Sequence, residues 1–592
     1  MNRPLCVSRK TRIWASLDAF VEGGPILGRR VANSAFLRAL LKADPYDAYH
    51  FFLPDQSAVS DLRAWLEQTF PDLERRGAFV VALRATLPKS LARTDFHCFH
   101  LSDPVTHGAS LAALRNAVSR TIFPVTSLTH SLSYVRFMGD FLKLLWPGVC
   151  ARDALIVTSQ SARLVMQNIF AALRRSYGLE EAFFPAPELV PLPLGVDDEA
   201  LPGANESHHA PGADSAPARD LRARLNIGAR VMILSLARFS PADKMDCLPL
   251  LQALRRARDL GLDASRCVLV LAGWAEPGDA LPEALAACAR SLDLETRLVL
   301  RPSDKERRTL YAAADIFVSP ADNIQETFGL SVAEAQAAGL PVAASDFDGY
   351  RDIVAHGESG LLIPTLAFAD TALSEVRSLV WHDNQYLLGL AQQTAVSVPG
   401  LALALVRLGQ DQDLRRSMGR AARQRAERLF TWKAVLPRWC ALWDELAARP
   451  LERDRETALR LARHPQSMRF GEFFRGHFTA VLDEAGLAGM AVKRTALGEA
   501  LYRGALPAHF YAGLDELLDD DLLRRALLAA RKGIAARELL ELLRELAIAR
   551  GLAPALAGEM AAFTLLWALK QDCLETEDGG IIMASGAGAE LP

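Results

Sequence analysis

The chain reads as an α/β protein of two parallel-sheet domains followed by an all-α domain. Three observations predict this. Short apolar runs alternate with amphipathic helical stretches from residue 12 to about 196, and again from 231 to 363, as strands covered by helices on both faces do. Between the two series lies PGANESHHAPGADSAPAR, residues 202–219, rich in Gly, Pro, Ala and Ser and with no periodicity to bury. After Pro450, β-branched runs nearly vanish and Leu, Ala, Arg and Glu recur at helical spacing to about 575.

In the first series the expected strands are 12–17, 48–53, 78–83, 96–101, 124–129, 154–158 and 189–194, with helices that include 32–41 and 110–118. The second series gives 231–236, 267–272, 297–300, 316–319, 341–344 and 361–363. The stretch 375–410 is longer than a strand-to-helix connection needs. A helical run over 413–448 carries Phe430, Trp432, Trp439 and Trp443. Asp519–Asp521 precedes LLRRALLAA, so these carboxylates mark a helix N-terminus. The expected boundaries are a first domain at 1–200, a flexible linker at 201–222 and a second domain at 223–448. An all-α extension at 449–575 and a disordered tail at 576–592 complete the chain. With 592 residues the chain exceeds the roughly 250–300 that one core sustains.

Composition removes several function classes. Half the residues are hydrophobic and 23% are charged, which suits a globular protein. The net charge of −3, with no basic stripe, argues against nucleic acid as a partner. Eight scattered cysteines without a CxxC pair fit neither a zinc site nor a disulfide framework, and point to a reducing cytoplasm. The N-terminal residues lack the apolar stretch of a signal peptide. The uncharged run 384–406 is broken by Gln392, Gln393, Thr394, Ser397 and Pro399. No membrane span is expected from it, and peripheral contact with the inner face of the membrane stays open.

Two facing parallel sheets put their carboxyl ends around one cleft, where such sheets bind ligands. The richest segment follows the strand 316–319. A loop carries Asp322–Thr327, and a helix begins near Phe328–Gly329. Unpaired N–H groups at a helix start attract anions, and Gly329 allows close backbone approach. Glu326 lies before the helix and Glu334 inside it, so one carboxylate can face a sugar while the other reaches a ribose diol.

The string Glu-x-Phe-Gly-x-x-x-x-Glu is followed by Ala-x-x-x-Gly-x-Pro-Val, Gly-x-x-Asp-x-Val and Gly-x-x-Gly-Leu-Leu-x-Pro. This resembles the donor site of retaining GT-B glycosyltransferases, nearest to glycosyltransferase family 4, also called group 1. The resemblance covers roughly 231–446 and is weaker before that. It implies that Glu326 and Glu334 bind the donor and that Phe328, Gly329 and Leu330 hold its diphosphate. It also implies a diphosphate clamp from Arg238 and Lys244, here one residue further apart than in the usual form. Cations there stabilise the charge on a departing diphosphate.

In the first domain the loop with Gly23 and Gly24 resembles the family's first loop, which passes close to the donor phosphates. His130 resembles the histidine placed against the donor sugar. Asp346-Phe347-Asp348 spells the metal-diphosphate motif of the other large transferase fold, but it occupies this family's post-strand loop, so no metal site is expected.

The implied activity is a metal-independent hexosyltransferase-type transfer with retention of configuration. A nucleotide sugar would be the donor, and a hydroxyl of a glycan, lipid-linked glycan or small molecule the acceptor, as in polysaccharide biosynthesis. No cofactor is needed. Two rivals stand beside it: a nucleotide-sugar epimerase, and a non-catalytic scaffold whose helical extension binds a protein partner or a second copy.

Overall fold

The computed structural model describes residues 11–21, 28–197, 215–369, 372–381, 383–478, 481–482, 487, 489–506, 514, 518–552 and 554–576. All thirteen expected strands are present. β1 (Ile13–Ser16), β2 (Ala48–Leu53), β3 (Phe79–Leu83), β4 (Cys98–Leu101), β5 (Val125–Leu128), β6 (Ala154–Val157) and β7 (Glu188–Pro191) form one sheet. Its order is β3-β2-β1-β4-β5-β6-β7, parallel throughout. β8 (Val231–Leu236), β9 (Cys267–Gly273), β10 (Thr296–Leu300), β11 (Ile316–Ser319), β12 (Val342–Ser345) and β13 (Gly360–Ile363) form the second. It runs β10-β9-β8-β11-β12-β13, also parallel.

Every residue of β1, β4, β5 and β6 is buried, as it is in β9, β11 and β12. Strands covered on both faces need continuous apolar runs, and that is the signal the sequence carries. Strand order reverses between β1 and β4 and between β8 and β11. Those reversals open crevices at the carboxyl ends of the strands.

The lobes are joined where Val196 bridges Thr431 in parallel. A Cβ at Gly195 would fall inside the Trp432 ring, so only glycine fits that crossing. The helix Trp432–Ala448, expected at the end of the second domain, packs on the first. Trp439 and Trp443 are fully buried. Their rings lie 5.0 Å from Phe36 and 6.4 Å from Trp14, respectively. Trp443 Nε1 donates to Thr126 Oγ1 at 2.9 Å. Burying aromatics this large is a strong apolar driving force, and it overrides chain order.

The expected linker also needs correction. Ser215 caps a helix, Ala216–Arg224, that starts inside 201–222 and buries Ala218, Leu221 and Arg222. Arg222 donates to the Ala313 carbonyl at 2.6 Å and pairs with Asp315 at 3.1 Å, tying the helix to the second lobe. Residues 201–214, and the tail from 577, lie outside the described residues.

The extension is neither a single body nor all-α. Its first helix, Arg453–Leu461, lies on the first lobe: Leu459 is buried with Ile122 and Cys150, and Arg455 donates to the Val149 carbonyl at 2.7 Å. The remainder has its own core, including Val492, Leu523, Leu527, Leu539, Leu543 and Leu565. It also contains an antiparallel sheet.

Two small sheets also occur among the described residues. β14 (Thr365–Leu366) pairs with β15 (Ala395–Val396), closing a hairpin around the long connection in the second lobe. β16 (Ala491–Arg494) lies between β17 (Ile534–Ala535) and β18 (Leu574–Thr576) in the extension. These strands are too short to show periodicity against a Leu/Ala-rich background. Asp519 caps the helix Asp520–Ala529 by accepting from the Asp521 and Leu522 amides, as expected. Among the described residues no helix is long and apolar enough to cross a membrane.

Candidate functional site

The second-lobe wall of the cleft is built at the reversal between β8 and β11. β8 runs into the loop that carries Arg238, Asp243 and Lys244. β11 runs into the loop that ends at Glu326, Thr327 and Phe328. Two side chains pin these loops together. Asn323 donates from Nδ2 to the Ala242 carbonyl at 2.7 Å, and the Asp322 carboxylate accepts the Asp246 amide at 3.2 Å. Burial pushes the Asp322 carboxyl up to about 7.

The pinned loops bring Lys244 Nζ onto Glu326 Oε2 in an ion pair, both side chains largely buried. Burial alone would raise Glu326. The Lys244 charge and hydrogen bond, with the Phe328 and Thr327 amides, outweigh it and hold the carboxyl below its ordinary value. Arg238 pairs with Asp243 at 3.0 Å.

Gly329 starts the helix Leu330–Ala337 with φ 106°, and a Cβ there would overlap the Tyr350 ring. Only glycine fits both demands. Four residues into the helix, Glu334 points into the cleft. Arg307 grips one of its oxygens, and the Tyr311 hydroxyl donates to the other at 2.9 Å. Arg307 and Tyr311, four apart on the helix Asp304–Ala313, share one face.

His130 follows β5 in the first lobe and is half-buried. Its Nε2 lies 2.8 Å from Asn33 Oδ1. Desolvation, then the nearby Arg29 charge, lowers its pKa to about 3, so it is neutral in the physiological range. Its carbonyl accepts the Thr327 hydroxyl at 2.9 Å. Thr158 donates to the Thr327 carbonyl at 3.1 Å, and the Gln160 amide donates to Asp352 at 2.6 Å. The lobes therefore meet directly across the Glu326 loop.

Eight expected site residues line one cavity of about 520 Å³ between the lobes: Glu326, Arg238, Lys244, His130, Glu334, Phe328, Gly329 and Leu330. Gly23 and Gly24 lie outside the described residues. The same cavity is lined by Arg29, Tyr134, Arg136, Trp274, Arg301 and Arg307, which sequence reasoning missed. Of these only Arg307 left a signal, its four-residue spacing from Tyr311.

Among the described residues, every carboxylate lining the cavity has a cation within ion-pair distance. Besides the pairs above, Asp103 lies 3.6 Å from Arg29 and Asp304 lies 3.7 Å from Arg307. Asp346 and Asp348 do not act together. Asp346 accepts from Arg351 Nε at 2.8 Å, half-exposed. Asp348 is half-buried, and desolvation followed by the Glu326 charge pushes its carboxyl up to about 8. Among the described residues no group of three or more His, Cys, Asp or Glu side chains is placed to hold a metal ion.

Residues 218–386 match the family model described as Glycosyl transferases group 1. The D-inositol 3-phosphate glycosyltransferase of Rhodococcus jostii (strain RHA1) is 35% identical over 169 residues, 28% of this chain and 36% of that protein. The enzyme of the same name from Saccharomonospora viridis is 30% identical over 235 residues, 39% of this chain and 46% of that one. The chain thus spans less than half the length of these relatives.

Among solved structures, sucrose-phosphate synthase from Thermosynechococcus elongatus covers 74% of this chain and 99% of its own, at 19% identity and TM-score 0.46. Anabaena Alr3699/HepE in complex with UDP covers 73% and 100%, at 14% identity and TM-score 0.49. Two parallel-sheet lobes around one cleft, with strand orders reversing at β1/β4 and β8/β11, constitute a GT-B fold, and its second lobe contains the segment that matches group 1 glycosyltransferases.

Proposed function

We propose that this chain is a retaining glycosyltransferase of the family 4 kind, moving a hexose from a nucleotide sugar to an acceptor hydroxyl. The observation that carries this reading is the meeting of Arg238, Lys244, Glu326, Glu334 and the Gly329 helix start with His130 in one interlobe cavity.

The chemistry follows from the pairing of charges. An arriving diphosphate competes with Asp243 for Arg238 and with Glu326 for Lys244. Both cations then face the leaving group, beside the amides at the start of the helix Leu330–Ala337, and stabilise charge as it develops there. Glu326, released from Lys244, is free to hold the sugar. Glu334, braced by Arg307 and Tyr311, fixes the nucleotide's ribose. His130, neutral and half-buried, offers a hydrogen bond to the sugar without adding charge.

A two-step route would need a carboxylate nucleophile at the anomeric carbon. Transfer goes instead by a front-face displacement, in which Glu326 holds the sugar without attacking it and the departing phosphate takes the acceptor proton. The neutral acceptor hydroxyl loses its proton, the C1–O bond to phosphate breaks, and a new C1–O bond forms on the same face. The nucleotide sugar is the donor substrate and no cofactor takes part. The site works in the cytoplasm, on a glycan, lipid-linked or small-molecule acceptor.

The test is a melting-temperature screen against UDP, GDP, ADP, CMP and their sugar conjugates. One nucleotide class should stabilise the protein, by about 2.7 kcal/mol at a hundredfold excess over Kd. The anomeric configuration of the product, read by NMR, should match that of the donor, and a chelator should leave the rate unchanged. No shift from any nucleotide would overturn the reading.

A further inference from the structure

The stretch from Arg463 to Phe478 joins the helix on the first lobe to the separate C-terminal unit, and it exposes large apolar side chains. Met468, Phe470, Phe473 and Phe478 are 69%, 62%, 51% and 43% exposed. Three of its aromatic rings form one cluster: Phe470 lies 5.7 Å from Phe474 and 5.4 Å from Phe478. The cluster is studded with cations. Arg463, Arg469 and Arg475 are exposed, and Glu472, which pairs with Arg469 at 3.0 Å, is the one acid of the stretch. Arg469 also lies 4.9 Å over the Phe473 ring. Exposed aromatics interleaved with arginine suit a surface that is apolar beneath and anionic on top.

Its place in the fold gives this patch meaning. His464 lies against the Trp146 ring at 5.1 Å, and its Nε2 is 2.9 Å from the Lys143 carbonyl. Lys143 ends the helix Phe137–Lys143, whose first residue lines the cavity. Seven helical residues span about 10 Å, so the patch is anchored one short helix away from the first-lobe wall of the cleft.

We propose that residues 463–478 dock this protein on an anionic phospholipid surface, with Phe470, Phe473 and Phe478 entering the interface and the arginines meeting the headgroups. Docking there holds the first-lobe side of the cleft against the bilayer. This inference does not rest on the donor-site reading, because vesicle binding is measured without nucleotide.

The experiment sediments the full chain with vesicles of phosphatidylcholine alone and of equimolar phosphatidylcholine and phosphatidylglycerol. Binding to the mixed vesicles should exceed binding to phosphatidylcholine by about tenfold and should weaken in high salt. Phe470→Ser with Phe473→Ser, and separately Arg469→Glu with Arg475→Glu, should each lower it about tenfold while the melting temperature holds. Equal binding to both vesicles, or none, overturns the proposal. So does loss of binding from Phe368→Ser with Leu379→Ser instead, since these two residues of the second-lobe connection between β14 and β15 are also highly exposed. If the Phe470/Phe473 variant splits a dimer while vesicle binding is absent, the patch is an interface between copies.

Discussion

The two walls of the cleft are built differently. The second-lobe wall takes Arg238, Asp243, Lys244 and Glu326 from two loops at one strand reversal, pinned together by Asn323 and Asp322, and adds Glu334 from the next helix and Arg301, Asp304 and Arg307 from beyond β10. The first-lobe wall is assembled from separate connections: Arg29, Asp103, His130 and the Tyr134–Phe137 stretch. The reversal loops of the second-lobe wall are compact and charged. The first-lobe wall is distributed and partly aromatic, with Arg136 lying over the Tyr134 and Phe137 rings at 5.0 and 5.4 Å. On the proposed reading, the donor's diphosphate rewards a fixed local motif, whereas the acceptor draws on loops that change independently.

The comparison predicts its largest effect at the Lys244–Glu326 pair. Glu326→Gln and Lys244→Met should each lower kcat/KM for transfer by about 10²–10³, the range for removing a preorganised charge partner. The double variant should be little worse than either single one, since the two act as a unit. The His130→Gln change in the other wall should cost about tenfold at most, because a neutral hydrogen bond is lost and no charge. If His130→Gln proves the worse change, the division of labour between the walls is wrong.

Gly329→Ala should come next. It combines left-handed backbone strain with overlap on the Tyr350 ring, at about 1–3 kcal/mol from strain and a similar amount from overpacking. Gly108, at a helix start in the first lobe, is the matched control. A Cβ there meets Leu144 at an ordinary 3.5 Å, so Gly108→Ala should melt near the parent temperature. Equal losses in both would show that the conformation at Gly329 is not what demands glycine.

Arg307→Ala should weaken nucleotide binding about tenfold, read by calorimetry, as expected for loss of a charge-assisted hydrogen bond on Glu334. Tyr311 still holds the other carboxylate oxygen, so binding should not vanish.

A subtler effect concerns Asp348, whose carboxyl is pushed up to about 8. A carboxyl raised in the folded state favours folding most below its unfolded value, and that advantage is lost as pH rises toward the folded one. Asp348→Asn keeps the shape, tolerates φ 45° and cannot ionise. It should raise the melting temperature at pH 9 and change it little at pH 4. An equal shift at both pH values would mean that ionisation of Asp348 is not what costs stability.

Much of this was legible in the sequence, for physical reasons. Buried parallel strands must be continuous apolar runs, so all thirteen strands could be read. Glu326, Gly329 and Glu334 lie within nine residues because one loop and one helix start present them. What could not be read depends on distance along the chain. Arg301 and Arg136 reach the cavity only once the sheets are paired. The helix Trp432–Ala448 lies on the first lobe because Trp439 and Trp443 find Phe36 and Trp14 there, contacts some 400 residues apart that no local pattern encodes.

The smallest effect should come from the C-terminal unit. Its core draws only on residues from 482 onward, whereas the helix Arg453–Leu461 is buried against the first lobe and must stay. A chain ending after Phe478 should therefore keep the parent nucleotide affinity and the melting temperature of the two lobes. A cut after Pro450 should expose Ile122 and Cys150, which Leu459 now covers, and lower that temperature by several degrees, as losing a buried leucine costs about 2–5 kcal/mol. If instead the cut at 478 weakens nucleotide binding, the C-terminal unit acts on the cleft. The account of the cleft as two walls would then have to include a third contributor.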